Sequence, residues 1–428
     1  MIIVFSMKLS DLVGRDVLIL GMGREGQAAM ECLPRLVAGV RLTCADDDAA
    51  RASKTLVQGV EGAPDGTVII KSPGIPPTHA CMASLAKRGF LVTTSTDLLF
   101  NERKGKRCVV AITGTKGKST TASLLAHTLK TGGINVELVG NIGVPALARI
   151  DAAGDTVFVC ETSSYQAMDV TTGPDICIIL NLFAEHMDYH GTVDAYWEAK
   201  VRLARMQKAG DLFAYDGRFS LLAKTAAETS AETIDCNEIT SPAIELLQLF
   251  GSHNRENARA VVVVARRFGV TEEVMARAFA SFKPLAHRLE PVGEVEGVLF
   301  VNDSISTVPQ ATLAAMTAFE GRLGAVILGG KDRGYDFGEL AEALRRQPDV
   351  MIFVLPGGDR LMAALASVGV VYTPVASLEE AVRDCAGCVT KGKVCLLSPA
   401  SPSYGFYKNF EDRGEQFRVA VRQGSQHP

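Results

Sequence analysis

The sequence lacks an excess of positive charge. It has 44 Lys and Arg residues against 48 Asp and Glu residues, a formal net charge of −4 and an isoelectric point near 6.0. A nucleic-acid-binding domain usually presents a basic face, so we expect no nucleic-acid partner.

The opening MIIVFS is far shorter than the ~18 apolar residues of a membrane helix, and no basic region precedes it, as it would in a signal peptide. We therefore expect no membrane partner and a cytoplasmic protein.

A paired cysteine framework is also missing. The ten cysteines stand at irregular positions, which favours a reducing compartment over a disulfide-bonded scaffold. Cys385 and Cys388 form one C-x-x-C motif, but a zinc site of this type would need a second pair at matching spacing. We predict two reduced thiols at the end of a helix.

The remaining composition predicts several folded domains. The chain has 428 residues, of which 47% are hydrophobic and 21% charged, enough for more than one core. Short β-branched runs alternate with helical patterns, which is typical of α/β domains with parallel sheets. We predict three α/β domains, with boundaries at 1–106, 107–285 and 286–428. In the first, we expect a strand over FLVTTST, at 90–96, and a charged linker over NERKGKR, at 101–107.

A glycine-rich turn, GTKGKST, runs from Gly114 to Thr120 after the predicted strand at 108–112. A standard P-loop, G-x-x-x-x-G-K-[ST], would place its first glycine at Ile112, so this loop is a shortened form. The order of strand, turn and helix lets backbone N–H groups converge on phosphate. Lys118 can face the β- and γ-phosphates and Ser119 can meet Mg²⁺. The loop predicts ATP binding.

A second glycine turn, Gly21–Gly26, follows the strand DVLILG. Asp46 lies twenty residues beyond Gly26, an offset at which an acid can reach a ribose. Such a turn suits NAD and equally suits a UDP-linked ligand. A nucleotide-sugar dehydrogenase or NAD-sensing regulator is therefore a contrasting hypothesis, although it leaves the ATP loop unexplained.

Acidic and imidazole groups follow two other apolar strands. Glu161 ends the strand DTVFVCE, where a buried carboxylate is costly unless it is paired with a cation. His186 and Asp188 follow the strand ICIILNLF. The ends of parallel strands are where ligands bind in open α/β sheets, so these groups could contact a metal or substrate. A solvent-facing Glu161 and a structural His186 remain alternatives.

Taken together, these motifs resemble the Mur ligase family, the ATP-dependent amide-forming enzymes of bacterial peptidoglycan synthesis. The similarity covers about residues 15–420, and the family's order is kept by GTKGKST, GNIG, ETSSYQ, EHMDYHG, YWEAK, GSHNRENA, HRLE, NDS, LGGKDRGYDF and SPASPSYGFYKNFEDRG. The resemblance implies a Rossmann-like UDP-binding domain, a central P-loop ATPase-like domain with a parallel sheet, and a C-terminal Rossmann-like domain. It implies an ATP- and Mg²⁺-dependent ligase, expected to be a monomer, that joins glutamate to UDP-N-acetylmuramoyl-L-alanine through an acyl phosphate, D-glutamate being favoured.

The resemblance also implies site residues. The ATP-binding set is Gly114, Thr115, Lys116, Gly117, Lys118, Ser119, Thr120, Asn254, Asn257, Arg288 and Asp303. The metal ligands are Ser119, Glu161, His186 and a carbamylated Lys200, and the catalytic set is Lys118, Glu161, His186 and Lys200. The residues around the UDP-linked substrate are Gly23, Arg24, Asp46, Ser72, Pro73, Gly74, Asn141, Ser163 and Ser164. Those around the incoming glutamate are Thr307, Arg333, Ser403 and Phe410. An ordinary helix lysine remains the alternative for Lys200.

Two positions depart from the family pattern. After NDS the family usually has lysine, whereas this chain has Ile305, which removes a charge-assisted hydrogen bond worth about 1.5–3 kcal/mol. The alternative is therefore an L-glutamate-adding ligase of the same family. Glu25 stands where threonine is common, so the uracil contact is expected to differ. A catalytically silent UDP-sugar-binding relative is disfavoured because the five residues Lys118, Ser119, Glu161, His186 and Lys200 are all present.

Overall fold

The computed structural model describes residues 4–105 and 109–425. The start of MIIVFS, the end of NERKGKR and Cys108 lie outside these ranges. Within the described ranges there are three sheets, and each consists largely or entirely of parallel strands flanked by helices. By its internal contacts the chain divides into two compact units, Met1–Leu247 with Arg255–Phe282, and Gln248–Asn254 with Lys283–Pro428. The α/β class with parallel sheets is confirmed.

The first sheet has four parallel strands in the order β2-β1-β3-β4. Its central strand β1 reads DVLIL and is buried at four of five positions, as expected of a strand covered on both faces. The strands are β1 (Asp16–Leu20), β2 (Arg41–Ala45), β3 (Val68–Lys71) and β4 (Leu91–Thr93). The helices are α1 (Arg24–Leu36), α2 (Leu56–Glu61), α3 (Ala80–Arg88) and α4 (Ser95–Arg103).

Helix α4 corrects two predictions. The strand expected over 90–96 ends at Thr93, because the Thr94 hydroxyl accepts a hydrogen bond from Asp97 N at 3.1 Å and caps a helix. The predicted charged linker is wrong for 101–103, which form the end of that helix. Arg103 is buried because its Nε donates to Ile150 O at 3.1 Å and its Nη2 to Ala152 O. The charge of Arg103 suggested an exposed linker, but backbone carbonyls accept the hydrogen bonds of its guanidinium inside the protein.

The second sheet has six parallel strands in the order β10-β9-β8-β5-β7-β6. Its order reverses at β5, which is the position where open α/β sheets form a ligand crevice. The strands are β5 (Val109–Thr113), β6 (Val136–Gly140), β7 (Val157–Glu161), β8 (Ile176–Ile179), β9 (Leu212–Tyr215) and β10 (Glu232–Asp235). The helices are α5 (Lys118–Thr131), α6 (Ser164–Ala167), α7 (Met187–His190), α8 (Val193–Arg205), α9 (Ser220–Glu228), α10 (Ser252–Arg267) and α11 (Glu272–Ser281).

The third sheet, in the second compact unit, has six strands in the order β11-β12-β16-β13-β14-β15. Strands β11 and β12 pair antiparallel. The two-residue turn between them has positive φ at Glu296 (52°) and Gly297 (81°), as in hairpins of type I′. The strands are β11 (Glu290–Val295), β12 (Val298–Asn302), β13 (Leu323–Leu328), β14 (Met351–Val354), β15 (Thr373–Pro374) and β16 (Val394–Leu397). The helices are α12 (Pro309–Thr317), α13 (Gly338–Arg345), α14 (Asp359–Ser367), α15 (Leu378–Cys388) and α16 (Phe410–Gly424).

The C-x-x-C motif lies at the C-terminal end of α15, as predicted. Cys385 is buried, with its sulfur 3.1 Å from that of Cys395, and Cys388 is exposed. All nine cysteines of the described ranges are free thiols. Over the same ranges, no helix combines the length and the apolar character that spanning a membrane requires.

Candidate active site

The phosphate loop follows the central strand β5 and leads into α5. Segment 180–183, after β8, holds its backbone. Thr115 N donates to Asn181 O at 2.9 Å, and Lys116 N donates to Asn181 Oδ1 at 2.8 Å. The Thr115 hydroxyl also donates to Phe183 O at 3.1 Å. The loop is therefore fixed in shape by its own strand and by the neighbouring one.

Two glycines of the loop are required by its conformation. Gly114 has φ of 145° and Gly117 has φ of 85°, values that other residues rarely adopt. A Cβ on Gly117 would lie 2.6 Å from Asn257 Oδ1, so the side chain of Asn257, on α10, packs directly on the loop. Asn254 precedes it by one turn of α10 but belongs to the second compact unit, where its Nδ2 donates to Phe250 O at 2.7 Å.

Two lysines converge on one carbonyl of the loop. Lys118 Nζ donates to Gly114 O at 3.0 Å and to Thr115 O at 2.8 Å, and Lys200 Nζ, on α8, donates to Gly114 O at 2.8 Å. Lys200 is only 1% exposed. Burial, followed by the charge of Lys118, lowers the pKa of Lys200 well below its ordinary value. Burial and the neighbouring Lys118 therefore both disfavour the protonated form of Lys200.

Glu161 is the last residue of β7 and is 1% exposed. Its Oε1 accepts a hydrogen bond from Asn141 Nδ2 at 2.8 Å, whereas its Oε2 is buried and accepts none from the described residues. Gly140 allows this approach, since a Cβ there would lie 2.3 Å from Glu161 O. An unsatisfied buried carboxylate oxygen is costly, so Glu161 Oε2 is suited to a cation.

His186 precedes α7 and has a φ of 60°, a left-handed conformation that is uncommon outside glycine. Burial lowers the pKa of His186, Glu185 opposes this change, and the charges of Lys118 and Lys200 add to it. A neutral imidazole keeps a lone pair available to a metal. Its ring centroid lies 5.2 Å from that of Tyr165.

A second histidine of this segment was not predicted. His190 Nε2 lies 3.0 Å from Ser164 Oγ. Burial, followed by the charges of His186 and Lys200, lowers the pKa of His190 to about 4. The spacing of His186 and His190 by four residues, in EHMDYHG, is the signal that could have indicated it, because residues so spaced share a helix face.

The residues at the phosphate loop fit a magnesium ion. In the described ranges no three His, Cys, Asp or Glu side chains form a metal-binding group. Mg²⁺, however, is usually held by one or two carboxylates together with phosphate oxygens and waters. Glu161 Oε2 supplies one such oxygen without a protein partner, and Ser119 is the second residue of α5. These groups fit an ion that also binds the phosphates of ATP.

A cleft of about 520 Å³ lies in the first compact unit, at the carboxyl edge of the first sheet. Seven residues predicted to surround the UDP-linked substrate line it: Gly23, Arg24, Asp46, Ser72, Pro73, Gly74 and Asn141. Glu25, placed by the sequence at the uracil contact, lines it as well, and further lining residues that were not predicted include Asp47, Arg51 and His79. His79 Nε2 lies 2.8 Å from Asp47 Oδ2. The cleft is thus built from the glycine turn and from the residues that follow β2 and β3.

Asp46 supports the glycine turn. Its Oδ2 accepts a hydrogen bond from Met22 N at 2.6 Å, and its Oδ1 accepts one from Asp48 N at 2.8 Å. The Ser72 hydroxyl holds the same turn from the other side, donating to Gly21 O at 2.6 Å. Asp46 therefore lies at the predicted place, and both of its oxygens already accept from the backbone.

The cleft connects to the second sheet through α1. Arg24 Nη2 donates to Gly143 O at 2.7 Å, and its Nη1 to Asn141 O at 3.4 Å. Gln166 Nε2 donates to Glu25 Oε1 at 2.6 Å, and Ser163 caps α6 by accepting from Gln166 N at 3.2 Å. Burial raises the pKa of Glu25. Asn141 thus lies between the cleft and Glu161, whereas Ser163 and Ser164 form the start of α6, the helix that carries Gln166.

The second compact unit holds the other predicted residues. Asp303, after β12, is buried and accepts from Ser398 Oγ at 2.9 Å, from Ser306 Oγ at 2.5 Å and from Leu289 N at 3.2 Å. Burial raises its pKa to about 6, which these hydrogen bonds and Arg288 counteract. The Nε of Arg288 is buried and has no hydrogen-bond partner in the described ranges.

The residues predicted for glutamate lie on loops that follow neighbouring strands and at the start of α16. Thr307 is half-buried, Ser403 is buried, and the Arg333 guanidinium lies 5.5 Å from the centre of the Tyr404 ring. Phe410 is the first residue of α16, and its carbonyl accepts from Ser304 Oγ at 2.8 Å.

Arg413 connects these loops and was not predicted. It is fully buried. Its guanidinium donates to Ser304 O at 2.9 Å, Ser304 Oγ at 2.9 Å, Ser401 O at 3.0 Å and Gly329 O at 3.4 Å. The three loops that follow β12, β13 and β16 therefore share one cation.

Comparison with known families gives two matches. A family model described as the Mur ligase middle domain matches residues 112–236, and one described as the Mur ligase, glutamate ligase domain, matches residues 287–401.

The chain also resembles individual proteins over nearly its whole length. It is 35% identical to the UDP-N-acetylmuramoyl-L-alanine–L-glutamate ligase of Micromonospora sp., over 99% of this chain and 100% of that protein. It is 36% identical to the UDP-N-acetylmuramoylalanine–D-glutamate ligase of Nitratidesulfovibrio vulgaris, over 95% of this chain and 96% of that protein. The MurF ligase of Thermotoga maritima in complex with ADP aligns with a TM-score of 0.59 at 17% identity, over 96% of each chain. At that identity the last likeness supports the fold alone.

Proposed function

The chain belongs to the Mur ligase family, and from that premise we propose that it joins glutamate to UDP-N-acetylmuramoyl-L-alanine. It is an ATP-dependent ligase whose substrates are small molecules of peptidoglycan synthesis. The proposal extends to the acyl-phosphate route, to magnesium and to the roles of individual residues. A cytoplasmic location, a monomeric state and domain boundaries after residues 106 and 285 stay predictions.

The position of Asn141 is the observation that supports this function most. Its carbonyl accepts from Arg24 of the substrate cleft, and its side chain donates to Glu161 beside the phosphate loop. A ligand that fills the cleft can therefore extend toward the ATP phosphates without leaving the first compact unit. That arrangement suits a reaction between a nucleotide-linked carboxylate and ATP.

In the first step, a carboxylate oxygen of the alanine attacks the γ-phosphorus of ATP, the bond to the β,γ-bridging oxygen breaks, and ADP leaves. Several negative charges meet in this step, so positive groups contribute most to catalysis. Lys118, which now donates to two loop carbonyls, supplies a cation at the phosphates. A magnesium ion, when bound, neutralises phosphate charge, and Ser119, Glu161 and His186 are the groups that would hold it.

In the second step, the amine of glutamate attacks the acyl carbon and the tetrahedral intermediate releases inorganic phosphate and a proton. Positioning of the two reactants accounts for most of the remaining acceleration. We assign glutamate to the loops that carry Thr307, Arg333, Ser403 and Phe410. Contacts to the ATP ribose and base are assigned to Asn257 of the first compact unit and, separately, to Asn254, Arg288 and Asp303 of the second.

Lys200 is proposed to carry a carbamate that contributes a further carboxylate to the magnesium site. Formation of a carbamate from CO₂ requires an unprotonated amine, and the lowered pKa of the buried Lys200 favours that form. The alternative is a structural lysine that holds Gly114 O at 2.8 Å.

Two candidates are open for the glutamate that the enzyme adds, the D and the L enantiomer. The motif set as a whole favours D-glutamate. Ile305 supports L-glutamate as the second candidate, because the family usually has lysine at this position and the aliphatic side chain of Ile305 offers a carboxylate neither a charge nor a hydrogen-bond donor. The neighbours of Ile305 are fixed, Ser304 by Arg413 and Ser306 by Asp303, so the substitution acts at a defined point of the acceptor loops.

Release of inorganic phosphate tests the function. Purified enzyme is incubated with Mg²⁺-ATP, UDP-N-acetylmuramoyl-L-alanine and either D- or L-glutamate. We expect phosphate release that requires all three substrates and occurs with one enantiomer. Release that does not depend on the nucleotide sugar contradicts the proposal, and activity with L-glutamate alone replaces the first candidate with the second.

A further inference from the structure

Tyr189 connects the substrate cleft to the segment that carries His186. Its phenol donates to Pro73 O, with the oxygens 2.7 Å apart, and lies 3.0 Å from Ile75 O. Pro73 and Ile75 line the cleft after β3 of the first sheet. Tyr189 itself is in α7, which follows β8 of the second sheet and begins directly after His186. One side chain thus joins the wall of the cleft to the metal-binding segment.

The loop that Tyr189 contacts is already anchored to its own sheet. The Ser72 hydroxyl donates to Gly21 O at 2.6 Å, and Lys71 Nζ donates to Ile75 O at 3.4 Å. Lys71 also forms a buried ion pair with Asp169, at 2.9 Å, which links the first sheet to the residues after α6. Tyr189 supplies a separate connection, to the residues after β8. Its loss would leave the cleft wall folded but free to shift against His186.

The ring of Tyr189 is itself held in place. Its centroid lies 4.0 Å from that of Tyr165 and 5.0 Å from that of His190. Because its ring packs on His190 and its hydroxyl contacts Pro73 O and Ile75 O, Tyr189 holds the histidine segment at a fixed distance from the cleft wall. Tyr189 belongs to the motif EHMDYHG, but no role of its own was predicted for it, and the proposed chemistry does not use it.

We propose that Tyr189 is a positioning residue that sets the distance between the nucleotide-sugar cleft and the phosphate-loop end of the active site. The inference rests on the proposed function, because only a substrate that spans both places depends on this distance. A ligand that occupies the cleft alone, such as UDP, does not. The hydrogen bond of Tyr189 should therefore affect turnover of the full substrate and leave UDP binding nearly unchanged.

The test is the Tyr189→Phe variant, which keeps the ring and removes the hydroxyl. Tyr165→Phe is the matched control, because Tyr165 belongs to the same ring stack and its hydroxyl forms no hydrogen bond with the described residues. Steady-state kinetics with UDP-N-acetylmuramoyl-L-alanine, ATP and the active glutamate enantiomer give kcat and each KM. Calorimetry gives the Kd of UDP.

For Tyr189→Phe we expect kcat/KM for the nucleotide sugar to fall about tenfold, because a small misplacement of reacting groups is costly. The KM of ATP and the Kd of UDP should change less than about twofold, as should every constant of the control. Equal losses for UDP and the full substrate, or an unchanged kcat/KM, would overturn the inference. An inactive wild type would contradict the proposed function instead, so the two failures are distinguishable.

Discussion

Replacement of Arg413 by Met should loosen the acceptor loops of the second compact unit. Met approximates the length of the arginine stem and removes all five guanidinium N–H donors. Ser304 O and Ser401 O, which accept from Arg413 at 2.9 and 3.0 Å, would lose these donors. Because Arg413 is fully buried, water cannot easily replace them.

The magnitude follows from these two carbonyls. Each buried acceptor left without a donor costs about 1–3 kcal/mol. Burial lowers the pKa of Arg413 to about 10, which means that the charge itself is held at a cost, and removal of the charge offsets part of the loss. We expect the free energy of unfolding to fall by about 2–4 kcal/mol.

Urea unfolding followed by circular dichroism measures this change, and hydrogen exchange of residues 303–307 and 398–402 locates it. Arg422→Met is the matched control: Arg422 lies in the same helix, is exposed and should change stability by less than about 0.5 kcal/mol. The KM of glutamate should rise in the Arg413 variant. A loss no larger than that of the control would refute the account of the shared cation.

Three further results are expected. Lys118→Ala should abolish phosphate release and leave UDP binding within about twofold, and near-normal turnover would refute the ATP assignment. Lys200→Ala should be inactive and partly recovered by a short-chain carboxylic acid that replaces the carbamate, whereas activity without the acid argues against that role. Burial raises the pKa of Asp97 from 3.8 to about 6, so its stabilising contribution is present below pH about 4 and lost as the pH rises through about 6. Between those values wild type should lose up to about 3 kcal/mol of unfolding free energy relative to Asp97→Asn, as measured by urea titration, and parallel curves would contradict this.

Local patterns predicted the parts of the site that depend on local conformation. The shortened loop from Gly114 to Ser119 follows a buried parallel strand and opens a helix, because glycine spacing and strand periodicity are short-range properties. Glu161 is buried at its strand end, as the run of apolar residues before it indicated. The glycine turn before α1 and the acid of Asp46 were found for the same reason.

Contacts between distant segments could not be predicted in this way. Gln166 reaches Glu25 from 141 positions away, and no pattern at either residue indicates the other. The motif EHMDYHG gives no sign that the Tyr189 hydroxyl donates a hydrogen bond to Pro73 O. Helix α4 was mistaken for a strand end and a linker because all of its residues except Glu102 are buried, and a helix buried on all sides has no amphipathic period.

The origin of the oxygen atoms in the released phosphate tests the central claim most directly. UDP-N-acetylmuramoyl-L-alanine labelled with ¹⁸O in its alanine carboxylate is turned over with unlabelled ATP, and the phosphate is analysed by mass spectrometry. An acyl phosphate transfers one carboxylate oxygen to phosphorus, so we expect one ¹⁸O in each phosphate released from fully labelled substrate. Phosphate without label would contradict activation of the carboxylate at this phosphate loop.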